Sequence, residues 1–172
     1  AGTLTLSAKA GIYITDDMTS GASGTALVMN ADADSANSNG TLTVASTKTV
    51  TSNEGDVTIT AWDVDIDGSL TAGTKSITIH GAEATQTISV GAGSGNTVVA
   101  DAELGRLTAA AHTVIGSSTS GTILVVGATN GNRDTLSTVS LVATKAAATV
   151  SFVTAASVFD KGIVVQAGKG II

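Results

Sequence analysis

Apolar residues recur two apart along this chain, with a different residue between them. Leu4-Thr5-Leu6, Ile12-Tyr13-Ile14, Leu42-Thr43-Val44, Val57-Thr58-Ile59, Val64-Asp65-Ile66, Ile77-Thr78-Ile79, Ile88-Ser89-Val90 and Val139-Ser140-Leu141 share this period. A period of two sends alternate side chains to opposite faces, so each triplet predicts a strand with one buried and one wet face. Between the triplets lie SANSNG, SNEGD, GSGN, SSTSG and TNGNRD. These are turn formers, because Gly reaches positive φ freely and Asn and Asp tolerate it. Short strands with closely spaced turns predict an all-β chain.

A second regularity selects among all-β folds. Gly-x-apolar-x-apolar recurs at Gly2-Thr3-Leu4-Thr5-Leu6, Gly40-Thr41-Leu42-Thr43-Val44 and Gly55-Asp56-Val57-Thr58-Ile59, with a related form at Gly121-Thr122-Ile123-Leu124-Val125. Thr74 takes the place of a Gly ahead of Ser76-Ile77-Thr78-Ile79. Val57 to Ile77 is 20 residues by subtraction, about the length of one β-solenoid coil. Leu42 to Val57 is only 15, so the coils are expected to differ in their turns. The predicted fold is a parallel β-helix of short irregular coils. A β-sandwich is the alternative, but it ordinarily has large core aromatics or an inter-sheet anchor, and here Tyr13, Trp62, Phe152 and Phe159 are scattered. Asn30 to Gly40 reads as a loop. Ala100 to Thr113 reads as either a helix or a coil whose strand is Arg106-Leu107-Thr108. No linker divides the chain, so residues 1–172 are expected to form one domain.

Composition supports the layered reading and excludes several functions. The chain has 172 residues, no Pro and no Cys, with 42% hydrophobic, 13% charged and 2% aromatic residues. An ordinary domain carries about 25% charged residues. Small and β-branched side chains suit a pleated surface better than a helix. The net charge is -6, and no basic run or aromatic stack offers a nucleic-acid surface. Apolar runs such as Ile123 to Val126 and Ile163 to Val165 fall far short of the roughly 20 residues of a membrane helix. The chain opens AGTLTL, without Met, and is expected to be a processed product or a piece of something longer.

The stretches GDVTITAWDVDIDGSLTAGTKSITIHG (55–81) and AELGRLTAAAHTVIGSSTSGTILVVG (102–127) resemble the repeats of filamentous haemagglutinin-like exoproteins. The order ELGRLTA, TVIG, SGTILV is the more particular part of the match. The resemblance implies a right-handed parallel β-helix. It also implies a secreted or surface-exposed fibre used for adhesion or as a structural filament. The secretion domain of that family has no counterpart in this sequence.

Asp63, Asp65, Asp67 and Gly68 have the spacing that opens a calcium loop. The twelfth position, where a bidentate Glu belongs, is Thr74. A strand puts the three carboxylates on one face about 6.8 Å apart, which does not close a cage around one ion. The row therefore reads first as a solvated strand face ending at Gly68, and second as a weak surface calcium site. Calcium is the one cofactor with any signal. Asp32 and Asp34 read as a solvated turn. His80 and His112 are far apart, and His80 follows Ile79 in a strand whose parity points it outward. GAGSGN (91–96) lacks the Lys-Ser/Thr ending of a phosphate loop and reads as a turn. Ser is abundant, but no nucleophile elbow appears. Polysaccharide enzymes need paired carboxylates or a cation beside an acid. Only Glu103 with Arg106 and Arg133 with Asp134 offer this, both in turn-like segments. Thr3/Thr5, Thr41/Thr43, Thr47/Thr49, Thr49/Thr51 and Thr58/Thr60 resemble, irregularly, the Thr-x-Thr arrays of ice-binding proteins.

The expected function is that of a non-enzymatic structural or adhesive module of an extracellular fibre or surface exoprotein. End coils of a stack expose unpaired backbone groups, so self-association into a filament, or continuation into a longer chain, is expected. A cell-surface glycan is a candidate partner. Polysaccharide binding or degradation is the alternative function, and ice binding a further one.

Overall fold

The computed structural model describes residues 2–129 and 135–172. The described residues wind as a parallel β-solenoid. The first coil contributes β1 (Leu4–Ser7), β2 (Ile12–Ile14) and β3 (Met18–Thr19). The second contributes β4 (Leu27–Asn30), β5 (Thr41–Val44) and β6 (Thr49–Thr51). The third contributes β7 (Val57–Ala61), β8 (Asp63–Ile66) and β9 (Ser69–Gly73). The fourth is the longest, with β10 (Ile77–Gly81), β11 (Ile88–Gly91), β12 (Thr97–Val99), the short helix α1 (Asp101–Leu104) and β13 (Leu107–Ala109). Then come β14 (Thr113–Ser117) and β15 (Ile123–Val126), β16 (Val139–Ala143) and β17 (Thr149–Phe152), and finally β18 (Ile163–Ala167) and β19 (Gly170–Ile171).

One strand from every coil joins a seven-stranded sheet in the order β1-β4-β7-β10-β14-β16-β18. Three smaller sheets make the other faces: β2-β5-β8, β13-β9-β6-β3 and β12-β11-β15-β17-β19. The paired strands run parallel, as in β7 with β10 and β14 with β16. This excludes the sandwich, whose strands are antiparallel. The alternating triplets explain the core. Their inward residues stack in register from coil to coil. Leu6, Met29, Ile59, Ile79, Ile115, Leu141 and Val165 form one column of the seven-stranded sheet. Ile14, Val44 and Ile66 form another on the three-stranded sheet, and Met18, Val50, Leu70 and Leu107 a third.

The 20-residue step from Val57 to Ile77 is a true coil register. The 15-residue step is not. Leu42 lies on the three-stranded sheet and pairs with Val64, whereas Val57 lies on the seven-stranded one. The Gly-x-apolar-x-apolar motif therefore marks the start of a strand on any face, and not the start of a coil. Coil steps on the seven-stranded sheet range from 20 to 36 residues by subtraction. The longer steps hold the Asn30 to Gly40 loop and the β11–β12–α1 excursion. Ala100 to Thr113 contains both elements that its spacing allows, α1 and then β13.

Corners are set by close approach. A Cβ on Gly55 would lie 1.8 Å from the Thr25 carbonyl oxygen, and one on Gly68 would lie 2.2 Å from that of Lys48. Only glycine lets neighbouring coils meet so tightly at these turns. Among the described residues no helix is long and apolar enough to cross a membrane.

Candidate functional site

The three-stranded sheet ends at β8. In an unbroken solenoid the fourth coil would pair along this strand. Here β11 pairs with β15 of the next coil instead, and β12 returns beside β8 without joining its ladder. The exposed edge of β8 needs partners for its backbone groups, and side chains supply them. Glu103 Oε1 accepts the Ile66 amide at 2.8 Å, and Oε2 accepts the Ala100 amide at 2.7 Å. The second contact is half of a capping box at α1. Arg106 Nη1 donates to the Ile66 carbonyl at 2.7 Å and reaches Asp67 Oδ1 at 3.4 Å. Asp63 Oδ1 accepts the Val98 amide at 2.8 Å. At the start of the edge, the Trp62 carbonyl accepts Gln86 Nε2 at 2.5 Å and Thr97 Oγ1 at 3.0 Å. Both backbone groups of Ile66 are thus held by side chains from about 40 residues downstream.

Between β8 and the β12–α1 segment lies an open groove of about 460 Å³, lined by Thr41, Asp63, Asp65, Asp67, Glu103 and Arg106 among others. Four carboxylates and one guanidinium face it, so it is anionic. Burial pushes Asp63 and Glu103 above the usual carboxylate range, outweighing the amides that each accepts, and Asp65 adds to the effect on both. Such paired, partly desolvated acids are the kind of group that marks functional clefts. Both Glu103 oxygens are engaged by backbone amides, however, which makes Glu103 a positioning group.

The predicted site residues fall as follows. Val64 and Ile66 point inward, at 4% and 0% exposure. Asp65 is exposed and Asp63 half-buried on the opposite face of β8, and Asp67 lies just past its end. Gly68 is the corner. Thr74, the twelfth position of the calcium-loop spacing, is bonded through its amide (2.9 Å) and its hydroxyl to Glu54 Oε2. Asp63 and Asp67 already have protein partners. Among the described residues no group of three or more His, Asp or Glu is placed to hold a metal ion.

Glu103 and Arg106 come together at Ile66, Glu103 from α1 and Arg106 from the turn between α1 and β13. Arg133 and Asp134 lie outside the described residues. His80 Nε2 sits 3.2 Å from Thr60 Oγ1, and His112 Nε2 2.8 Å from Ser140 Oγ; the two rings serve different partners. GAGSGN does form the turn between β11 and β12, where Asn96 Oδ1 accepts the Thr87 amide at 3.0 Å. Thr41/Thr43, Thr49/Thr51 and Thr58/Thr60 lie on three different sheets. The longest outward threonine register is instead Thr19, Thr51, Thr71 and Thr108.

One feature corrects the reading of the sequence, and another extends it. Asp32 is fully buried, while Asp34 is exposed, so only half of that acidic turn is solvated. Tyr13 is 67% exposed, and its column continues through Thr43 to Asp65 on the face beside the groove. The parity of Ile12-Tyr13-Ile14 already put this ring outside, but its register with Asp65 depends on the intervening loop lengths. Compared with known proteins, the chain matches no family model, no curated sequence and no solved structure.

Proposed function

We propose that this chain is a structural or adhesive module of an extracellular fibre or surface exoprotein, and that it assembles end to end. The observation that carries the reading is the state of the two end coils. β1, β2 and β3 are paired on one side only, as are β18 and β19. Apolar side chains stand exposed at the same places, with Leu4 at 39% on β1, Val164 at 41% on β18 and Ile171 at 57% on β19. An open strand edge flanked by apolar side chains is a template for another strand. In a solenoid that strand comes from the next copy or the next coil of a longer chain. The composition agrees, since the small β-branched core makes a stiff stack and leaves few side chains for chemistry. Sedimentation velocity across a concentration series, with electron microscopy of the same samples, tests the reading. Growing linear species are expected, and Val164→Lys should suppress them. Separate single particles at every concentration would overturn self-assembly.

A second reading is favoured by the groove. Tyr13, Thr43 and Asp65 on one column, with Asp63, Asp67 and Arg106 alongside, combine an exposed ring with polar groups suited to sugar hydroxyls. That combination fits a polysaccharide-binding surface. A glycan array probed with the chain and with Tyr13→Ala tests it, because a genuine sugar platform loses signal in the variant.

A further inference from the structure

The loop between β4 and β5 holds a carboxylate that no hydrogen-bond donor satisfies. Asp32 has 0% exposure, and neither of its carboxylate oxygens has a hydrogen-bond partner. Its near neighbour is a second carboxylate, Asp34, set close enough to share a proton, and Glu83 adds further negative charge. Burial and these two acids all push its pKa up. The Ala36 amide pulls the other way without reaching hydrogen-bond geometry. No cationic side chain is among the groups that act on it.

The chain closes tightly over this residue. A Cβ on Gly40 would lie 2.5 Å from Asp32 Cβ. The far side of the loop is fixed where Glu83 Oε1 accepts the Ser38 amide at 3.1 Å. Asn30 Oδ1 accepts the Asp32 amide at 3.2 Å. A buried carboxylate without a counter-charge is strongly unfavourable, and two facing carboxylates are worse. Such a pair is stable when something positive sits between its oxygens.

We propose that Asp32 and Asp34 bind a divalent cation of the calcium class. The spacing supports this choice of ion. Asn30, Asp32, Asp34 and Ala36 stand at alternate positions, as the first four ligands of a calcium loop do, with the fourth giving its backbone carbonyl. Calcium takes six to eight oxygens in a flexible geometry. Two carboxylates, the Asn30 amide oxygen, a backbone carbonyl and water meet that demand, with Asp34 on the solvent side as the way in. This set has two carboxylates, against the three of the Asp63 row, but here one is buried and unmatched. The Asp63 row has protein partners at Asp63 and Asp67.

Calcium chloride titration at pH 7, followed by calorimetry and by thermal melting, tests the site. One equivalent should bind, and the melting midpoint should rise by about 3–6 °C at ten times the Kd. Asp32→Asn should abolish that rise. Without calcium the same variant should melt at or above the temperature of the unsubstituted chain, because it removes a buried charge. Asp34→Asn, at an exposed position, should fold normally and lose at least tenfold in affinity. Asp65→Asn should keep the full response. The proposal is overturned if calcium leaves the melting midpoint of the unsubstituted chain unmoved, since a shared proton then holds the pair. It is equally overturned if the response survives in Asp32→Asn or disappears only in Asp65→Asn.

Discussion

The Glu103 carboxylate accepts the backbone amide of Ile66 at 2.8 Å across 37 residues of sequence. It takes the place of the strand that the fourth coil withholds from β8. Removing it strands two amides, those of Ile66 and Ala100. Glu103→Ala should therefore cost roughly 2–6 kcal/mol, taking about 1–3 for each of the two groups left unpaired. Glu103→Gln keeps one acceptor and should cost about half as much. Urea unfolding midpoints check both values, and a Glu103→Ala variant as stable as the parent would remove the clamp from the account.

Acid should stabilise this fold. Burial raises Asp63 and Glu103 in the folded state above their unfolded values. A raised acid contributes stability that is complete below its unfolded pKa and is lost as pH rises through the folded pKa. The window begins near pH 4, the ordinary carboxylate range, and extends upward from there. Asp16, held down by Lys48, and Glu54, held down by Thr74, act in the opposite sense, with stability lost as pH falls through their lowered values. Both are exposed, so solvent screens them. The urea midpoint should rise as pH falls from neutral toward the ordinary carboxylate range near 4. The slope should be shallower in Glu103→Gln, and an equal slope in the two proteins would refute the assignment.

Thr113 sits in an aliphatic column between Ile77 and Val139, fully buried, with no partner for its hydroxyl. Valine has nearly the same shape. Thr113→Val should stabilise the chain by about 1–2 kcal/mol, the desolvation cost of an unpaired hydroxyl. Calorimetric melting reads this directly, and a lower midpoint would mean that the hydroxyl is satisfied.

Gly68 is expected to tolerate no side chain. Its Cβ would overlap the Lys48 carbonyl oxygen at 2.2 Å and the Ala45 oxygen at 2.5 Å. Gly68→Ala should cost about 1–3 kcal/mol through forced backbone shifts. Gly2→Ala, where nothing lies within 4 Å, should cost nothing measurable. Paired denaturation curves of the two variants make the comparison.

The strands were legible because parity is local. Ile12-Tyr13-Ile14 or Val64-Asp65-Ile66 needs no knowledge of the rest of the chain to say which side faces in. Register was much less legible. Whether Leu42 stacks on Val57 or on Val64 depends on how many residues the corners consume, and corner lengths follow from three-dimensional closure. β3 and β12, two and three residues long, carry too little pattern to stand out. The clamp was hidden for a related reason. Glu103 and Arg106 sit three apart and read as a local pair, but their shared partner is a backbone 37 to 40 residues earlier. The burial of Asp32 was masked by the polar company it keeps in sequence.

The seven-stranded sheet is the one that runs through every coil. The three-stranded face stops at β8, and the five-stranded face begins beyond it. Every junction between coils nevertheless carries at least two ladders: β9 pairs β13 going into the fourth coil and β11 pairs β15 leaving it, beside β7–β10 and β10–β14. Tension along the axis therefore changes faces at the fourth coil, passing from the four-stranded sheet to the five-stranded one while the seven-stranded sheet carries straight through.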